Sequence, residues 1–189
     1  MDPATAVGSV FAAFGLSGAA GLNAWLPLFA SALLDRVGVV DMGAPFGDLS
    51  STTGLIVLGV LTVADFVGDK IPAVDHVLHA AGAVVAPASG ALLFTGGTGL
   101  ETEIPTVVTV IVGALVAGSV HAGRASARPL STAGTAGVGN PVLSLFEDAG
   151  AGLLTAVAFL LPVLAFLAVL GLLVGALLLL RRWRRFAAA

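Results

Sequence analysis

Ionisable side chains are scarce in this chain, and those that interrupt its apolar stretches recur at helical spacing. Asp65 and Asp69 stand four apart, so on a helix they share one face. Two carboxylates there repel unless a cation, a proton or a basic group such as Lys70 sits between them. Asp75 and His79 repeat the spacing just past Pro72. A hairpin carrying both pairs offers three carboxylates and an imidazole, a donor set for a hard divalent ion or a proton relay. Asp65, Asp69, Asp75 and His79 are thus the candidate metal ligands, and a divalent cation is the cofactor these residue types suggest.

A second group lies downstream. His121, Arg124 and Arg128 place a basic stripe on one helical face. Ser131-Thr-Ala-Gly-Thr-Ala-Gly-Val-Gly-Asn140-Pro141 follows and reads as a Gly-rich loop entering a helix, with Asn140 as N-cap and Pro141 in the first helical position. Backbone amides of such a loop could form an anion-binding nest. Glu147 and Asp148 then precede a run without ionisable groups that lasts to Leu180, which predicts their burial against Arg124, Arg128 or Lys70. A buried acid stripped of its partner is strongly destabilising, so such pairs serve structure as readily as function.

The elements that position these groups belong to a membrane protein. Apolar residues make up 58% of the chain and charged ones 10%, with mean hydropathy +1.07, far from the composition of a soluble domain. At roughly 20 residues per crossing, the chain is long enough for one all-α, polytopic membrane helical bundle of about five transmembrane helices, some broken or re-entrant. The apolar stretches cover 4–34, 54–68, 76–96, 105–122 and 151–180, with a Gly-rich polar segment at 123–150. Met1-Asp2-Pro3 lacks a basic n-region, so the first stretch reads as a retained span. The absence of cysteine excludes disulfides, thiolate catalysis and sulfur-ligated metals. A net charge of −3 with no basic surface argues against nucleic-acid binding.

Within the first stretch, Gly15, Gly18, Gly21, Asn23 and Pro27 predict a break near 21–27. Ile71-Pro72-Ala73 leaves almost no loop and predicts a tight antiparallel hairpin. The last stretch, about 45 Å if wholly helical, must tilt, protrude or bend at Pro162. Arg181-Arg182-Trp183-Arg184-Arg185 reads as an interfacial anchor on the cytoplasmic side of the cell membrane. Counting single crossings back from that tail puts Arg124 and Arg128 outside and Glu101–Glu103 inside, against the positive-inside bias. Either 141–180 crosses twice, or these arginines are site residues. A weak pairing of Asn23–Phe29 with Asn140–Phe146, 117 residues apart, suggests a duplicated broken-helix element.

Three segments carry a family resemblance: Gly21-Leu-Asn-Ala-Trp-Leu-Pro27-Leu-Phe, then Ile71-Pro72-Ala-Val-Asp75-His-Val-Leu-His79, and the run from Ser131 through Gly139-Asn140-Pro141-Val-Leu-Ser144-Leu-Phe-Glu147-Asp148. On these the chain resembles the prokaryotic integral-membrane family known as domain of unknown function 4126, over nearly its whole length. The resemblance adds Asn23 and Ser144 to the polar candidates and supplies no activity. Members can carry Arg at the position of Asn23 and can lack a base at Lys70, which implies neither a basic role at 23 nor a catalytic lysine at 70.

The expected function is a small transporter or permease, a homo-oligomer in the lipid bilayer, rather than an enzyme. Its acids would bind an ion, and its arginines a small anionic solute or lipid headgroup. An intramembrane enzyme acting on a lipid phosphate and a purely structural membrane protein are the alternatives. Small residues throughout the spans favour close helix contacts and self-association.

Overall fold

The structure, a computed structural model, describes residues 2–98, 104–135 and 139–187. The described residues form eight helices: α1 (Pro3–Leu22), α2 (Trp25–Arg36), α3 (Phe46–Leu49), α4 (Thr52–Gly68), α5 (Pro72–Thr98), α6 (Thr106–Thr135), α7 (Asn140–Leu160) and α8 (Pro162–Ala187). Pro3–Leu22, Val77–Gly97, Thr106–Ser126 and Asn140–Leu160 are long and apolar enough to cross a membrane, and Thr52–Gly68 and Pro162–Leu178 are shorter apolar helices.

Glycine and alanine set the helix directions because they permit close approach. A Cβ on Gly90 would fall 2.3 Å from Ala117 Cβ, and one on Gly113 2.3 Å from the Gly90 carbonyl oxygen. These contacts, with the 2.9 Å Thr95–Thr109 hydroxyl bond, run α5 and α6 antiparallel. Ser17 donates to the Gly90 carbonyl at 2.9 Å, and Phe14 meets Phe94 edge-on, so α1 is antiparallel to α5 and parallel to α6. Gly15 packs against Ala158 and Ala165 at once, and Gly18 against Val169. The wholly buried core follows these seams, with Leu16, Leu93, Phe46 and Val169 as its largest apolar members.

The predicted break at 21–27 falls at Asn23, whose backbone is extended (φ −143°, ψ 121°). Its Oδ1 accepts from the Trp25 and Leu26 amides at 3.0 Å each, starting α2 in the reverse direction. α2 descends beside α4: Asn23 meets Asp65, Gly59 faces Phe29, and Arg36 reaches Thr52. Asp35 closes the following loop by accepting from Met42 N at 2.8 Å and Ser50 Oγ at 2.5 Å, while Phe46 plugs the space over Gly96.

Of the alternatives for 151–180, the chain takes the bend at Pro162, as a full reversal: α7 ends at Leu160, and α8 returns from Pro162 beside α1, bringing Ala176 to Gly123. Proline cannot donate to the preceding turn, and small residues on both arms make reversal a packed arrangement. The reversal is apolar, with Leu160 and Leu161 exposed, and Leu161, Leu164 and Ala165 amides find carbonyls within the turn, as hydrocarbon demands. One expectation requires correction, that of a loop from Ser131, since α6 continues through Thr135. An isolated glycine costs only about 1 kcal/mol in an established helix. The Gly139 amide donates to Thr135 Oγ1 at 2.9 Å, and Gly139, not Asn140, holds the cap position of α7. The expected anion nest would require residues 136–138, which lie outside the described residues, as do Glu101–Glu103.

With α7 and α8 antiparallel, the C-terminal ends of α1, α4, α6 and α8 share one end of the bundle. Lys70, Arg124, Arg128 and Arg181 stand toward that end, while Asp35, Asp41 and Asp48 mark the other. The conflict with the positive-inside bias disappears without moving the arginines. Arg181 is exposed, and the side chains of the residues after it, Trp183 included, lie outside the described set.

Candidate functional site

At the end shared by Leu22, Gly68 and the start of α7, the charged residues close into one cluster. Arg128, on α6, is 7% exposed. Its guanidinium contacts Asp75 on α5 and donates to Ser144 Oγ at 3.0 Å and Glu147 Oε2 at 2.9 Å on α7. Planar arginine reaches three partners on two helices at once, which the point charge of lysine does not. Ser144 is 1% exposed, and the buried face of α7 runs Ser144, Asp148, Ala151, Thr155, Ala158 at helical spacing.

One turn earlier on α6, Arg124 bonds the Leu22 carbonyl, left free because α1 ends there. Its Nη2 lies 3.4 Å from His79 Nδ1. Arginine only donates, so this nitrogen accepts and the imidazole proton belongs on Nε2, which has no partner. Arg124 Nε is 3.3 Å from Glu147 Oε2 but out of hydrogen-bond alignment. The His79 and His121 rings lie with centroids 5.0 Å apart. Gly82 makes room for them, since its Cβ would fall 2.7 Å from His121 Cε1.

Asn23 organises the other half. Its single amide nitrogen donates to Asp65 Oδ2 at 3.0 Å and to Asp148 Oδ1 at 2.8 Å, joining α4 to α7 through the tip of α1. Lys70 lies 2.9 Å from Asp69 and 3.7 Å from Asp148 Oδ2, which is buried without a hydrogen bond. Lys70 also rests 3.5 Å over the Phe66 ring. A small cavity of about 130 Å³ opens beside this half, lined by Trp25, Asp65, Gly82, His121 and Arg124 among others. It is polar enough at one side and large enough for water.

The Asp65–His79 hairpin and the Arg124–Asp148 segment therefore meet directly. They do so by pairing acids with bases, and the four candidate metal ligands separate: Asp65 goes to Asn23, Asp69 to Lys70, Asp75 to Arg128 and His79 to Arg124. Among the described residues no three His, Asp or Glu side chains are placed to hold a metal ion. Lysine and arginine pair with Asp69 and Asp75, whereas Asp65 is held by the neutral amide of Asn23. Asn140, half-buried at the start of α7, is one helical turn before Ser144. The Leu22 carbonyl and Gly82 escaped the sequence reading. Gly82 stands three residues after His79, a spacing that could have drawn notice, whereas a backbone carbonyl carries no residue-type signal.

A bundle of apolar helices around a buried, cross-linked set of charges defines a polytopic membrane protein with an internal polar site. Residues 10–182 match the family described as Domain of unknown function (DUF4126), and the chain belongs to that family. Neither the curated proteins nor the solved structures contain a match.

Proposed function

We propose that this protein is a small membrane transporter whose buried cluster carries a proton or a small monovalent cation. The observation that carries the reading is a charge imbalance. Five carboxylates, Asp65, Asp69, Asp75, Glu147 and Asp148, face three fixed cations, Lys70, Arg124 and Arg128. Uncompensated charge at such a site costs several kcal/mol, so the excess favours uptake of positive charge. Both arginines are already engaged by carboxylates, which weighs against an anionic solute. The cavity beside Asp65 and His121 supplies hydrated access, and His79 and His121 add groups able to relay protons.

The basic end, with Lys70, Arg124, Arg128 and the Arg-rich tail, faces the cytoplasm of the cell in this reading, as the positive-inside bias favours. A metal-dependent lipid-phosphate enzyme finds less support, because among the described residues no three His, Asp or Glu side chains are placed to share a metal ion.

The test is flux in proteoliposomes with an internal pH dye, driven by a proton or alkali-cation gradient. Asp148→Asn removes one negative charge and keeps an oxygen to accept from Asn23. Wild type is expected to dissipate the gradient at least about tenfold faster than this variant, equivalent to about 1.4 kcal/mol in the limiting barrier. Equal rates in wild type, Asp148→Asn and empty vesicles would exclude the function.

A further inference from the structure

The ammonium of Lys70 stands where several features that favour a cation gather. Lys70 follows the C-terminal end of α4, where the last carbonyls lack helical partners and carry the negative end of the helix dipole. Its Nζ donates to the Phe66 carbonyl at 2.5 Å and to Asp69 Oδ1 at 2.9 Å, lies 3.5 Å over the Phe66 ring, and stands 3.7 Å from Asp148 Oδ2. Asp148 is 7% exposed, and this oxygen has no hydrogen bond. Two carboxylates, a carbonyl and an aromatic face make a donor set for a hard monovalent cation. The position is filled by a cation that the chain itself carries. The cavity beside Asp65 offers no equivalent, since Asp65 is the single carboxylate among the described residues lining it and Arg124 shares the wall.

We propose that Lys70 sets the cation specificity of the cluster: its ammonium occupies the alkali-cation position beside Asp148, so that the ion taken up, on the transport reading on which this specificity rests, is the proton. An alkali cation sheds its water only where several oxygens replace it, and the oxygens here already hold Nζ. A metal ion entering would also meet like charge, so it is refused by repulsion rather than by size. A proton needs one lone pair. Asp148 Oδ2 offers it, forming an O–H bond on uptake and breaking that bond on release. Asp69 and the Phe66 carbonyl keep Lys70 anchored meanwhile, so neutralising Asp148 does not strand the ammonium. The charged groups that face Asp148 are Asp65, Asp69 and Lys70 at the end of α4, Arg124 on α6 and Glu147 beside it. Acids outnumber bases among them, which draws the proton in. Lysine suits this place because a compact point charge on a flexible stem fills a cation position, where the planar fork of arginine would seek paired acceptors.

The experiment melts the full chain, purified in mild detergent, in sodium, potassium or choline chloride at equal ionic strength. Wild type is expected to melt at one temperature in all three. Lys70→Ala vacates the position and keeps both carboxylates, and the fold should persist because the lysine side chain is 32% exposed at the turn between α4 and α5. In that variant sodium or potassium, at a concentration about tenfold above its dissociation constant, should raise the melting temperature by about 3–6 °C over choline. Adding Asp148→Asn should abolish the shift. Lys70→Ser, which lends the site a further oxygen, repeats the measurement should the alanine protein fail to fold. Reconstituted wild type should move protons at the same rate in sodium, potassium and choline buffers. A wild-type melting temperature raised by sodium or potassium over choline would overturn the proposal, and so would a folded Lys70→Ala protein that melts alike in all three salts. Proton flux that requires an alkali cation would overturn it too. Stabilisation of Lys70→Ala by an alkali cation, in a protein whose wild type moves no protons, would reject transport and leave Lys70 as the occupant of the cation position.

Discussion

Replacing Arg128 with Gln tests whether the cluster holds the bundle together as its geometry requires. The guanidinium sits between Asp75 and Glu147, and the three side chains are 8%, 6% and 10% exposed. With an effective dielectric near 20, one unit pair at about 3 Å interacts by roughly 5–6 kcal/mol before desolvation is charged against it. Glutamine keeps a donor for Ser144 or Glu147 but leaves Asp75 without its cation and Glu147 with Arg124 alone. Breaking one partner from a buried pair costs about 3–5 kcal/mol. At about 2–4 °C per kcal/mol for a chain of this size, the melting temperature should fall by roughly 6–20 °C. Intrinsic fluorescence during a thermal ramp in detergent reads this directly. The triple variant Arg128→Met, Asp75→Asn, Glu147→Gln should recover most of the loss, because a neutral replacement of a buried ion pair is often tolerated. A melting temperature for Arg128→Gln within about 2 °C of wild type, or a triple variant no better than the single one, would refute the assignment of Arg128 as the central cation.

Other consequences are open to measurement. Asp65→Asn and Asp148→Asn each retain an oxygen for Asn23 while removing surplus negative charge, so each should raise stability by about 0.5–2 kcal/mol while lowering flux, read by melting and proteoliposome assays. Gly113→Val should prevent folding, seen as loss of monodisperse protein, since its Cβ alone would sit 2.3 Å from the Gly90 carbonyl oxygen; Gly8→Ala, with nothing within 4 Å, should be neutral or add about 0.5–1 kcal/mol. Phe46→Ala should cost about 3–5 kcal/mol in a thermal melt, because the ring is wholly buried over Gly96. The chain has no cysteine, so single cysteines report topology cleanly. Ile71→Cys and Arg181→Cys should be labelled from one side of the membrane and Val39→Cys from the other.

Local chemistry made some features readable before any coordinates. Gly21, Asn23 and Pro27 each weaken a helix in their own way, so the break after α1 was legible in their proximity. The near absence of loop residues around Pro72 likewise announced the α4–α5 hairpin. Glu147 and Asp148 ahead of a long apolar run required partners, and Arg124, Arg128 and Lys70 were the few available. What stayed hidden depended on packing across helices. Pro162 permits a bend or a full reversal, and only the contacts of Gly15 with both Ala158 and Ala165 decide for reversal. Gly134 suggested a loop, yet the local cost of a glycine was too small to end α6. The metal reading counted carboxylates on one hairpin and omitted the arginines that a different helix brings to them.

In the transport reading proposed above, the surplus of carboxylates is what would separate a working site from a lock. A cluster selected only to hold helices together would match its charges, because every unmatched buried carboxylate lowers stability. Asparagine at 65 would still accept from Asn23 and would remove that penalty, and at 148 it would give up only the long contact to Lys70. Asn23 sharpens the point. It bridges the two acids with one neutral amide, where a cation would have balanced them, and Lys70 approaches Asp148 only to 3.7 Å. The arrangement holds Asp65 and Asp148 in place while leaving their charge incompletely countered, which is the condition under which a mobile proton or cation has a reason to enter.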